Sequence, residues 1–343
     1  MECKIIGAGL AGCEAALWLA GQGVQVELYE QKPVHFSPAH KSEGLAELIC
    51  SNSLKAERLD SASGLLKTEM RLLGSRLLTA AEAARVAAGG ALAVDRDRFS
   101  AAVTAMVQAE PNITLHREQV TCFDPAVPVL VATGPLTEGA LAAQIRALTG
   151  GAGLSFYDAV APIVTLESVD MDSAFFASRY DKGTADYVNC PMDKEEYLAF
   201  VKELVSAKEA PVHGFDDGGV FEGCMPVEVM ARRGVDTLRY GPMKPVGLID
   251  PRTGRENYAV VQLRRDNADG TIYNIVGFQT HLTWGEQKRV FSMIPALKNA
   301  EFVRYGVMHR NTYLNSPKLL DRYYRLRSDT RISFAGQMTG VEG

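Results

Sequence analysis

Residues 3–33, CKIIGAGLAGCEAALWLAGQGVQVELYEQKP, constrain this chain more than any other stretch. A short apolar run breaks into Gly7-Ala8-Gly9-Leu10-Ala11-Gly12, an alanine- and leucine-rich run with helical spacing follows, residues 24–29 alternate as a strand does, and Glu30 closes the unit. Strand, glycine turn, helix, strand and acid in this register predict a dinucleotide-binding βαβ unit. Gly7 permits the tight turn, Gly9 lets backbone approach a pyrophosphate, and Gly12 lets the helix lie close to the sheet. The pyrophosphate then meets a helix N-terminus, where N–H groups and the macrodipole favour an anion, and Glu30 is placed to accept from ribose hydroxyls.

The far end of the chain repeats this grammar. Residues 331–343, RISFAGQMTGVEG, read as an apolar strand breaking into spaced glycines, Gly336-Gln337 and then Gly340 and Gly343. Such a strand would rejoin the first sheet and close over the flavin end of a long dinucleotide, which favours FAD over NAD. Ala132-Thr133-Gly134, at the end of another apolar strand, offers a second close backbone approach.

Between these ends, 343 residues leave room for about two domains. Pro33 and Pro38 mark a loop leaving the sheet. Helices are expected over 64–78 and 79–87, the second capped by Thr79 with Glu82 as partner, and again from Asp95 to about Ala109. Strands are expected at 91–94, 113–119 and 127–132. From about Leu154 aromatic and mixed segments replace the alanine-rich helices. A helix over 193–207, a hairpin of 260–265 with 271–279, a helix from Trp284 to Pro295 and a strand at 302–306 complete this part. The fold class expected is α/β: a Rossmann-like FAD-binding domain over 1–153, an inserted α+β substrate domain over 154–328, and a return to the first domain over 329–343.

No apolar run approaches the roughly 18 residues a membrane helix needs, so the expectation is a cytoplasmic protein with no membrane partner. Six cysteines without a CxxC pair argue against both a zinc site and a disulfide scaffold. Two of them have a context. Cys50 lies in LICSNSL, where Asn52 or Ser53 would cap a following helix, and Cys224 lies in FEGCMPVE, where Pro226 suits the first position of a helix running to about Arg233. A thiol at a helix N-terminus has its thiolate stabilised by the dipole. Cys3 and Cys13 belong to the packed strand and helix, and Cys122 and Cys190 have no activating context. His281 and His309 are read as structural. A net charge of −5 does not advertise a nucleic-acid binder, yet a local basic patch suffices for one. Arg310, Lys318, Arg322, Arg325, Arg327 and Arg331, interleaved with Tyr313, Tyr323 and Tyr324, are either such a patch or a solvated, salt-bridged face.

Taken together, IIGAGLAG (5–12), LICSNSL (48–54), FEGCMPVE (221–228), GFQTHL (277–282), RYGVMHRNTYLN (304–315) and FAGQMTGVEG (334–343) resemble the bacterial folate- and FAD-dependent tRNA (uracil-5-)-methyltransferases. These are relatives of the larger flavoproteins that modify the tRNA wobble uridine. The resemblance implies 5-methyluridine formation at position 54 in the T loop of tRNA, with methylenetetrahydrofolate as carbon donor, NAD(P)H as reductant and FAD as cofactor. It also implies that Cys224 is the nucleophile that adds to uracil carbon 6 and that Cys50, near the flavin, assists as base. The same chemistry on a ribosomal RNA uridine, a small-molecule FAD/NAD(P)H oxidoreductase, and an inactive tRNA binder are the alternatives. In that family the chain runs on past the final glutamate and glycine into a further helix and a basic region. The sequence here ends at Gly343, so a truncated C-terminal region and reduced flavin occupancy are expected.

Overall fold

The computed structural model describes residues 2–37, 39–124, 127–151, 153–181, 184–210 and 225–341. The opening unit forms as its pattern dictates. Strand β1 (Glu2–Ile6) leads through the glycine turn into α1 (Leu10–Gly21), and β2 (Gln25–Glu30) alternates so that Val26, Leu28 and Glu30 are buried. The chain then builds β3 (Ser53–Ala56), α2 (Ala62–Leu72), α3 (Arg76–Ala83), β4 (Arg85–Val86), β5 (Ala91–Val94), α4 (Arg96–Ala109), β6 (Ile113–Arg117), β7 (Val129–Val131) and α5 (Gly139–Leu148).

The helix break expected before Thr79 falls earlier. Leu73 ends α2, Gly74 takes the left-handed turn at φ 79°, and Ser75 caps α3 by accepting from the Leu78 N–H. A serine directly after a glycine outcompetes a threonine already inside the next turn. Glu82, freed from a capping role, bonds Arg71 and Arg85 instead.

Beyond α5 come β8 (Gly153–Ala159), β9 (Ile163–Thr165), β10 (Phe175–Ala177), β11 (Tyr187–Met192), α6 (Lys194–Ser206), α7 (Val227–Arg232), α8 (Thr237–Tyr240), β12 (Ile249–Asp250), β13 (Arg255–Glu256), β14 (Ala259–Arg265) and β15 (Ile272–Ile275). Asp193 and Glu196 form a reciprocal capping box on α6. The expected hairpin is the antiparallel pair β14–β15. Helix α9 (Trp284–Phe291) stops short of the expected Pro295, which instead opens a single 3₁₀ turn. The chain closes with β16 (Phe302–Arg304), β17 (Met308–Leu314), α10 (Ser316–Leu319), β18 (Arg325–Leu326) and β19 (Asp329–Phe334).

Two six-stranded sheets result. The first, in the order β18-β19-β7-β1-β2-β6, is parallel except for β18. Ile5, Leu28, Cys13 and Leu17 pack with Phe99 and Val103 of α4 on one face, while Ile6, Val131 and Phe334 pack with Leu141 and Ile145 of α5 on the other. The second, β10-β11-β14-β15-β9-β16, is antiparallel and carries Tyr197 and Phe200 of α6, Val227 of α7 and Phe291 of α9 in one core. The chain leaves through β8 and comes back through β17, and these two strands pair in register from Gly153↔Leu314 to Ala159↔Met308. After that return, β19 lies parallel to β7, with Ile332 opposite Val129 and Phe334 opposite Val131.

Candidate active site

The glycine turn is built for a guest. Gly7 has φ 99°, and a Cβ there would stand 2.5 Å from the Ala132 carbonyl oxygen; one on Gly12 would stand 1.8 Å from that of Gly7. Gly9 differs: a Cβ on it would meet nothing within 4 Å. That open space lies at the N-cap of α1, where no side chain caps the helix and no acidic residue occupies the first turn. A cradle with uncapped N–H groups fits a pyrophosphate.

Glu30 closes the other side. It is buried, and its two carboxylate oxygens accept from the Ala8 and Lys32 N–H groups, each at 3.1 Å. Those bonds fix the carboxylate over the turn and leave acceptor sites for a pair of hydroxyls.

The return of the chain completes the cradle. The Ala335 N–H donates to the Val131 carbonyl at 3.0 Å, and Gly336, at φ 76°, lies so near α1 that a Cβ would stand 2.9 Å from that of Ala11. Gln337 opens one 3₁₀ turn that ends at Gly340, φ 81°. The structure therefore brings Gly7, Ala8, Gly9, Leu10, Ala11 and Gly12 together with Glu30, Gly336 and Gln337, although Gly336 and Gly7 are far apart in sequence. Gly343 lies outside the described residues.

The segment that carries Cys50 starts at this cradle: the Ala46 N–H, four residues before the cysteine, donates to the Ala8 carbonyl at 2.9 Å. The thiol is half-buried, but the helix expected after it does not form: residues 53–56 are strand β3. Asn52, fully buried, is no cap. Its amide donates to the Val94 and Arg265 carbonyls, both at 3.0 Å, so it ties the first domain's β5 to the second sheet's β14. With the helix goes the dipole argument for Cys50.

Guanidinium groups take its place. Arg96 donates to the Leu48 and Ile49 carbonyls and is paired with buried Asp266 at 3.0 Å, while Arg264 donates to the Ser51 hydroxyl at 2.8 Å and the Asn52 amide oxygen at 3.2 Å. Cys50 sits between the residues these two arginines hold. Arg304 adds a third cation to the neighbourhood: burial lowers its pKa, Arg96 lowers it further, and Asp266, Cys50 and Glu47 act in the opposite sense. Burial also lowers the pKa of Arg264. Arg304 interacts electrostatically with Cys50, and the carboxylates of Asp266 and Glu47 share the neighbourhood. The signal in the sequence was the Arg264-Arg265 pair ending an otherwise apolar strand.

Cys224 lies outside the described residues. Immediately downstream, Met225 is buried, Pro226 takes the N-cap of α7 rather than its first position, and the Val227 N–H donates to the Gln279 carbonyl at 2.8 Å. Elsewhere, burial pushes the Cys13 and Cys190 thiols up to about 12, and Cys122 is exposed. The basic stretch is part patch and part ion pairs. Arg325 and Arg331 are held by Asp321 and Asp329 at 2.7 and 2.8 Å, while Arg322 lies 4.7 Å from the ring centre of exposed Tyr323. Among the described residues, no cluster of three His, Cys, Asp or Glu side chains could hold a metal ion, and no helix is long and apolar enough to cross a membrane.

A parallel sheet with a glycine cradle, re-entered by a distant strand and interrupted by an antiparallel sheet, defines a dinucleotide-binding α/β protein of the flavoprotein class. Solved structures agree on the fold: GidA of Aquifex aeolicus superposes with TM-scores of 0.72 and 0.71 in two crystal forms, at 13% and 14% identity, over 100% of this chain and 60% and 62% of that one. The family described as Glucose inhibited division protein A matches residues 2–343. Proteins named methylenetetrahydrofolate--tRNA-(uracil-5-)-methyltransferase TrmFO are 60% identical in Desulfitobacterium hafniense over 99% of this chain and 78% of theirs, and 57% identical in Listeria monocytogenes over the same shares. The chain belongs to the TrmFO family, as the motifs implied.

Proposed function

We propose that this chain methylates carbon 5 of a uracil in tRNA, taking the carbon from methylenetetrahydrofolate. The T-loop uridine at position 54 is the target, and the chain is divided as 1–153, 154–328 and 329–343. The observation that carries the reading is that Cys50 lies on a segment held on both sides, Arg96 bonding the Leu48 and Ile49 carbonyls and Arg264 the Ser51 hydroxyl, four residues after Ala46 bonds the dinucleotide cradle at Ala8. Identity of 60% across 99% of the chain to proteins so named supports it.

Uracil carbon 5 is a poor nucleophile until a thiolate adds at carbon 6, which places an enolate on the ring. Cys224 supplies that thiolate. Cys50 takes the proton from carbon 5 once the new carbon–carbon bond is made, as the amine that delivered the carbon leaves the new methylene, and loss of the Cys224 thiolate restores the ring after that methylene has gained a hydride. The Gly7–Gly12 turn and the first turn of α1 would hold the pyrophosphate of FAD, Glu30 its ribose hydroxyls, and Gly336, Gln337 and Gly340 its flavin half. FAD reduced by NAD(P)H would supply the hydride that turns methylene into methyl.

The test is to supply FAD, methylenetetrahydrofolate, NADPH and unmodified tRNA, then measure 5-methyluridine. Product is expected from the wild type and not from Cys224→Ala. Product from ribosomal RNA in place of tRNA would move the target, and product from the alanine variant would remove the thiolate role.

A further inference from the structure

Glu30 is held over the glycine turn by two backbone N–H groups, those of Ala8 and Lys32, each at 3.1 Å. Both of these residues are bonded a second time, and both times to the same segment. The Ala8 carbonyl accepts from the Ala46 N–H at 2.9 Å. The Lys32 ammonium donates to the Gly44 carbonyl at 2.7 Å and to Glu47 Oε2 at 3.0 Å. Glu30, Ala8, residues 44–47 and Lys32 therefore close a ring of hydrogen bonds and one ion pair.

The ring is buried, and the segment it holds is strained. Lys32 is 3% exposed and the Glu47 side chain 15%. Removing one partner of such a pair leaves the other charge buried and uncompensated. Glu47 Oε1 also accepts from the Lys41 and Ser42 N–H groups at 2.9 and 3.2 Å, so one carboxylate folds the segment onto the lysine. Arg117 of β6 donates to the Lys32 and Glu43 carbonyls at 3.1 and 2.8 Å, and Thr104 and Ser100 of α4 bond Leu45. Ala46, buried, stands at φ 50°, a left-handed conformation that a non-glycine residue keeps only where its surroundings impose it. Four residues on, the same segment carries Cys50.

We infer that Lys32 is a positioning residue: its backbone holds the acid that meets the ribose and its ammonium holds the segment leading to Cys50, so that filling the adenosine half of the cradle fixes that segment. The inference rests on the reading of the cradle as a dinucleotide site and needs neither Cys50 nor Cys224 to be catalytic. A ribose on the remaining acceptor sites of Glu30 restrains the carboxylate. The restraint passes to Ala8 and Lys32, and from them to residues 44–47. Coupling of this kind is reciprocal. A variant that breaks the link loses both the effect of the nucleotide on the segment and the contribution of the segment to nucleotide affinity.

The probe is ADP, which carries the adenosine and the pyrophosphate but no flavin ring to cover the thiol. The chain free of FAD is alkylated by iodoacetamide with and without saturating ADP. The Cys50 rate is read by mass spectrometry relative to exposed Cys122, and ADP affinity by calorimetry. In the wild type, ADP should slow Cys50 about fivefold or more; in Lys32→Met the slowing should fall below about twofold and ADP should bind severalfold more weakly. Glu47→Gln keeps an acceptor for the Lys41 and Ser42 N–H groups but removes the charge facing Lys32. It should fall between the two, and it serves as the test where Lys32→Met yields too little folded protein. A wild-type Cys50 rate indifferent to bound ADP, or slowing as large in these variants as in the wild type, would overturn the inference. ADP that does not bind the wild type would sink the cradle reading and the coupling with it. None of these readouts is methylation, so a chain that makes no 5-methyluridine would sink the proposed function and leave the coupling standing.

Discussion

Arg264 of β14 donates to the Ser51 hydroxyl at 2.8 Å, across 213 positions of sequence, so the second sheet holds the residue next to Cys50. On the proposed role of Cys50 as base, the contact that docks the second sheet on its segment would also favour its thiolate. Arg264→Gln keeps a donor but removes the cation. Raising the Cys50 pKa by about one unit would slow its alkylation by iodoacetamide at neutral pH about tenfold. An unchanged rate, read by mass spectrometry on the Cys50 peptide, would show that the guanidinium is not what favours the thiolate.

The three glycines of the opening turn separate stability from binding. Gly7→Ala and Gly12→Ala drive a methyl into backbone at 2.5 and 1.8 Å, so each should lower Tm, by the equivalent of about 2 kcal/mol or more. Gly9→Ala meets nothing within 4 Å and should melt like the wild type, yet its methyl fills the cradle and should cost FAD retention on gel filtration. Equal Tm losses in all three variants would mean that Gly9 is structural.

Asp250 gives a pH signature away from the site. Its hydrogen bonds from the Arg252 side chain, then from the Arg252 backbone and Asn257, outweigh burial and hold its pKa at about 2. The folded value is depressed, so this contribution is present above the unfolded pKa of about 3.9 and disappears as pH falls toward 2. Because Arg252 is partly exposed and screened, about 1 kcal/mol is a reasonable size. Wild type and Asp250→Asn should differ in Tm near pH 6, and the gap should shrink steadily below about pH 4 and close only as pH falls through about 2; a constant gap would contradict the assignment.

In the basic stretch, Arg322 and Tyr323 are exposed and stacked on one another, whereas Arg325 and Arg331 are engaged by aspartates. Tyr323→Ala should weaken tRNA binding by about 1–2 kcal/mol with FAD affinity unchanged, as filter binding would show. Arg331→Ala should have a smaller effect. The reverse order would place the RNA surface elsewhere.

What could be read from sequence was local. The turn at Gly7, the second strand ending on Glu30 and the helix that starts at Asp193 depend on neighbours within a few tens of residues, and all three form. The environment of Cys50 was misread because its partners are distant: Asn52 looks like a helix cap until Arg265 and Arg264 are folded against it. Ser75 was missed as a cap because two hydroxyl residues competed and only the turn at Gly74 decides between them. The pairing of His281 with Glu209 and Glu228 joins residues 72 and 53 positions apart and leaves no periodic trace.

The central claim is that the transferred carbon comes from folate. Methylenetetrahydrofolate labelled with carbon-14 in its one-carbon unit, supplied with FAD, NADPH and unmodified tRNA, should place the label in the 5-methyl group of uridine. Unlabelled 5-methyluridine, with carbon arriving only when labelled S-adenosylmethionine is supplied, would contradict it.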